Sequence, residues 1–114
     1  IRYTRPKDFR ASGSGLIDYN INKSSMECVE IAFTVSRKLK FQCMAYDFVF
    51  DEMGKAHIIE ISYTFVDSSV RNCPGYFDDS LNWHEGHFWP QFSILDMLLP
   101  EYNLRQPPDD EMQF

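Results

Sequence analysis

The chain has 114 residues and a mass of 13.5 kDa, which suits one domain with one modest core. Eleven Lys and Arg stand against 17 Asp and Glu, a net charge of −6, and no basic run offsets it. That balance argues against nucleic acid as a partner, and the 44% hydrophobic, 25% charged composition argues against disorder as the main state.

The chain begins at Ile1 rather than Met, as a piece of a longer protein would. No apolar run approaches the roughly 18 residues of a membrane helix, and no signal peptide opens the sequence. The expected location is therefore cytoplasmic, with no membrane partner. Residues 1–15 end in Ser12-Gly13-Ser14-Gly15 and read as a strand end and a loop, with a strand resuming at Leu16-Ile17-Asp18-Tyr19. Ser24 and Glu27 have the spacing of a capping box. Cys28, Ala32, Val35 and Leu39 then recur as an apolar helical stripe, and Arg37, Lys38 and Lys40 suit the end of a helix dipole. A helix is expected over 24–40.

Seven of the eight residues from Cys43 to Phe50 are apolar or aromatic, the pattern of a buried strand. Asp51-Glu52-Met53-Gly54 supplies a turn, and Ala56–Ser62 a return strand. Residues 64–91 have no clean period and read as loops and short turns. Residues 92–100 read as a short helix capped by Ser93, with Pro100 beyond its end. The segment 101–114 carries four acids and one Arg, and its Pro107-Pro108 pair stops a helix. It reads as a mobile or docking tail. Cys28, Cys43 and Cys73 have neither a disulfide-framework nor a zinc spacing, so reduced thiols are expected.

Asp47 and Glu60 are the anomaly, each a lone carboxylate in an apolar strand. An even-numbered turn sets Phe50 opposite His57 and Asp47 directly opposite Glu60, on one face. Like charges there repel unless a cation sits between them, and a divalent cation with oxygen ligands resolves the conflict. Ser62 lies two residues further on the same face and adds a weak oxygen ligand. Two alternatives stay open. The acids are solvated or paired with Arg10, Arg37 or Arg71, or an odd-numbered loop sends them to opposite faces.

The run from Ala45 to Ser62 resembles the end of the ATP-grasp ligase fold. In that family an Asp on one strand, a Gly-containing turn and a Glu-x-Asn on the next strand bind the Mg²⁺ ions of Mg-ATP. Asp47 and Glu60 match the two carboxylates, and Ser62 stands where the family usually has Asn. Lys7-Asp8-Phe9-Arg10 with the loop after it is similar to the Asp-Phe-Arg element of the glutamate ligases that modify ribosomal proteins. Glutathione synthetase and D-alanine–D-alanine ligase belong to the same wider group. The resemblance covers roughly residues 5–65.

It implies an α+β fold, mostly an antiparallel sheet with the 24–40 helix on one face, as the C-terminal portion of an ATP-grasp domain over 1–100. It also implies ATP and Mg²⁺ (or Mn²⁺) as cofactors, and small-molecule carboxylate and amine substrates joined through an acyl-phosphate. Asp47, Glu60 and Ser62 would hold the metal, and Arg10 would be catalytic, reaching the transferred phosphoryl group. Ser12, Gly13, Ser14, Gly15 and Arg71 would touch the acceptor. The earlier half of such a domain is missing, so the piece alone is expected to be inactive, with the rest of the parent domain as its partner. Dimerisation through an exposed apolar face would follow. A partner-binding module that kept the metal strands but lost catalysis is the alternative, as is a small domain with a structural Asp/Glu pair.

Trp83-His84-Glu85-Gly86-His87-Phe88-Trp89 holds a His-x-x-His pair without further zinc ligands at a usual spacing. An aromatic loop with its histidines at the rim is the plainer expectation, and acceptor recognition lies between. Arg71 suits either a substrate carboxylate or a surface ion pair with Asp78 or Asp79.

Overall fold

The computed structural model describes residues 1–2, 6–7 and 15–105. Among these, three helices and two separate two-stranded antiparallel sheets form a small α+β arrangement. The elements are α1 (Lys23–Leu39), β1 (Ala45–Phe50), β2 (Ala56–Ser62), α2 (Asp67–Arg71), β3 (Gly75–Phe77), β4 (Trp83–Glu85) and α3 (Pro90–Leu98), followed by a 3-10 turn at Pro100–Tyr102. The expected single sheet is thus two ribbons, β1-β2 and β3-β4. The strand expected at 16–19 is an isolated bridge between Arg2 and Ile17.

No Gly or Pro interrupts α1, and Asn22 caps it by accepting the backbone N–H of Ser25 at 2.9 Å. Ser24 is therefore inside the helix, not its cap. The expected capping box fails because Asn22 lies one residue before the first helical position. Glu27 instead accepts the Ala56 N–H at 3.5 Å, a long bond that ties α1 to β2. A second tie joins Ser36 Oγ and Tyr46 Oη at 2.6 Å. Lys40 ends the helix in the left-handed region at φ 55°. None of the residues of α1 is buried, and Leu39, the last of the expected apolar stripe, is 55% exposed.

β1 is not the fully buried strand that its composition suggests. Tyr46 and Phe48 are half-buried on the α1 side with ring centroids 6.4 Å apart, while Asp47 and Val49 alternate to the open side. α3 starts at Pro90, not 92, because Trp89 precedes it and Pro90 takes the first helical position, where its missing N–H costs nothing. The stretch 64–91 holds more structure than expected, namely α2 and the β3-β4 ribbon. Gly75 opens β3 where Trp83 packs onto it, and a Cβ there would overlap the Trp83 ring and the His84 carbonyl oxygen. Ala56, Trp89 and Pro90 are buried apolar residues among those described. No helix among them is long and apolar enough to cross a membrane.

Candidate functional site

Asp47 lies directly opposite Glu60 across the β1-β2 ribbon. The route to that register differs from the one expected. Phe50 pairs with Ala56, not His57, so the turn is the odd-numbered stretch 51–55. Alone, that turn would put the two acids on opposite faces. A β-bulge between Asp47 and Phe48 in the ladder corrects the phase, because Phe48 pairs with Ile58 while Asp47 pairs with Glu60, leaving Ile59 as the extra residue. Its cost is visible in β2, where Ile59, Glu60 and Ile61 are exposed in succession.

Tyr46 reaches α1, so alternation turns Asp47 and its partner Glu60 to the face away from the helix. Both carboxylates are exposed, and neither has a hydrogen-bond or ion-pair partner among the described residues. The arginine alternatives are otherwise engaged. Arg37 donates to the Asp79 carbonyl at 3.2 Å, and the Arg71 guanidinium lies over the Trp89 ring at 4.4 Å. Arg10 lies outside the described residues, as do Ser12, Gly13 and Ser14. Gly15 is described and exposed, with φ 71°.

Ser62 pairs with Ala45 at the end of the ladder. Its Oγ accepts the Thr64 N–H at 3.2 Å and bonds the Thr64 hydroxyl at 3.2 Å. A role as a ligand would require it to share or leave those bonds. No group of three or more His, Cys, Asp or Glu gathers among the described residues, so the site offers two carboxylates and a hydroxyl and would draw further ligands from outside them. Two hard oxygen donors on one face suit Mg²⁺, which keeps several waters and binds through one or two carboxylates plus phosphate.

Arg71 ends α2, half-buried, with its carbonyl accepting His87 Nδ1–H at 2.6 Å. The two histidines of the His-x-x-His pair have different partners, since His84 Nε2 meets Asp78 Oδ2 at 2.8 Å. Both are exposed, as expected of a rim. The Cys28 thiol is pushed up from its ordinary value by burial and then by Glu27, which suits an inert thiol.

Sequence reasoning missed a matched pair of turns. Asp51 Oδ1 accepts the N–H groups of Met53 and Lys55, both at 2.9 Å, and its Oδ2 meets His57 Nε2 at 2.8 Å. Asp78 does the same, with Ser80 and Asn82 at 3.0 and 2.9 Å and His84 at 2.8 Å. The fourth position is left-handed in both, Gly54 at φ 78° and Leu81 at φ 64°. The signal was an Asp followed six residues later by His, present twice. A comparison with known protein families, characterised proteins and solved structures finds no match to this chain.

Proposed function

We propose that the chain is part of an ATP-grasp carboxylate–amine ligase, with Asp47 and Glu60 as carboxylate ligands of the Mg²⁺ (or Mn²⁺) of Mg-ATP. The observation that carries this reading is the direct register across β1-β2 of two carboxylates that have no partner among the described residues. A bulge that restores that register, at the expense of exposing Ile59 (64%), is hard to account for if the acids do nothing together. The donor set fits the ion, since both groups are exposed oxygen donors on one face. When bound, the cation would offset negative charge on the phosphates.

The remaining roles follow from the resemblance. Arg10 would contact the transferred phosphoryl group, the 12–15 loop and Arg71 would face the acceptor, and Ser62 would add a weak contact. The substrates would be a small carboxylate and an amine, with the carboxylate activated by ATP. Exposed Tyr63 (77%), Val66 (60%) and Ile59 suit a contact with the rest of the ligase domain, or with a second copy when that half is missing. The cytoplasm, where Mg-ATP and reduced thiols both occur, is the fitting location.

ATP turnover by the longer parent protein tests the reading. Glu60→Gln should abolish turnover, and Ser62→Asn should raise it by restoring the usual third ligand. A second reading, a partner-binding module that kept the strands without the catalysis, is favoured by the Ser62–Thr64 bonds. It predicts no turnover in the parent or in Ser62→Asn.

A further inference from the structure

Between the C-terminal half of α1, the 40–45 connection and α3 lies a cavity of about 830 Å³, within the range of small-molecule sites. Its walls are mainly apolar and include Phe33, Phe41, Met44, Phe65, Ile94 and Met97. Arg37 and Lys40 are the charged residues among its lining. No Asp or Glu among the described residues lines it, although the chain carries a net −6. Among the described residues, an acidic protein thus presents a cavity whose charged lining is positive.

Arg37 lies in the last turn of α1 and Lys40 at its left-handed C-cap, and both line this cavity. The Arg37 guanidinium sits 5.9 Å from the Phe33 ring centroid and gives one donor to the Asp79 carbonyl, which leaves further donors of its fork. The Lys40 side chain is exposed, and only its backbone N–H is used in the helix cap.

The wall also says what would not fit well. An extended peptide would bring N–H and C=O groups against an apolar surface with few partners to offer, and Ser36 is already bonded to Tyr46. A ligand with one anionic end and an apolar body leaves nothing unsatisfied. We infer that this cavity binds a free amphiphilic carboxylate, its apolar body along Phe33, Phe41, Ile94 and Met97 and its carboxylate at Arg37 and Lys40. The inference is independent of the ligase reading, because the Asp47–Glu60 pair faces away from α1.

Calorimetric titration of the full chain with decanoate, kept below its micelle concentration, tests this. Saturable binding is expected. Arg37→Gln and Lys40→Gln should each weaken it about three- to tenfold, whereas Lys55→Gln in the β1-β2 turn should leave it unchanged. Decanol should bind more weakly than decanoate. Both substituted cations are exposed, and far-ultraviolet circular dichroism should confirm that the variants keep the fold. No saturable heat, or equal affinity in the parent chain and both variants, would overturn the proposal. So would sedimentation showing a dimer that decanoate does not dissociate, which would assign the cavity to a second copy.

Discussion

At the residue scale, the candidate site depends on Asp47 and Glu60 sharing a face, which they do because Ile59 stands outside the pairing. Deleting Ile59 would make the ladder regular and keep the two acids opposite, whereas a ladder in which Ile59 itself paired with Asp47 would separate them. Elsewhere, single residues carry local conformational cost. Lys40 holds φ 55° at the end of α1, a conformation that crowds Cβ against the backbone, and its exposed side chain packs little in return. Lys40→Gly should therefore stabilise the chain by about 1 kcal/mol, read as a higher urea midpoint at unchanged slope.

At the element scale, both ribbons are closed by the same device, an Asp that accepts two backbone N–H groups and a His from the returning strand. The hydrogen bond from His84, then those from Asn82 and Ser80, hold the Asp78 carboxyl down to about 2, against an ordinary 3.8. His57 and then the Lys55 N–H lower Asp51 from the same value. A depressed carboxyl stabilises the fold above its ordinary value, and that contribution is lost as pH falls through the folded value. The β3-β4 ribbon should loosen between pH 3.8 and about 2, followed by the near-ultraviolet signal of Trp83 and Tyr76, and Asp78→Asn should flatten that transition. Gly75→Ala should cost roughly 1–3 kcal/mol through its overlap with Trp83 and the His84 carbonyl, seen as a lower urea midpoint. The β2 boundaries were legible because strand patterning is local, whereas the even-numbered turn expected to set Asp47 opposite Glu60 is absent and a bulge gives that opposition instead. The bulge was not legible, since Ile58-Ile59-Glu60 contains no Gly or Pro to mark it. The β3-β4 ribbon was hidden for a related reason, its strands being three residues each and its turn taking its positive φ at Leu81, a residue that carries no sequence mark of one.

At the scale of the whole molecule, few side chains are buried among the described residues, and many large apolar ones are exposed. Tyr63, Val66, Ile59 and Leu98 lie at 60% exposure or more, more than scattered surface residues require. These exposed apolar residues are the physical reason to look for a covering partner, while the proposed chemistry rests on the carboxylate pair. The pair is the part that can be tested on the chain alone. The most direct measurement is a calorimetric Mn²⁺ titration of the chain, with and without ATP, beside Asp47→Asn and Glu60→Gln. Saturable binding that disappears in each variant is the predicted result. Mn²⁺ binding of equal strength in all three proteins, or in none, would contradict a cation held between Asp47 and Glu60.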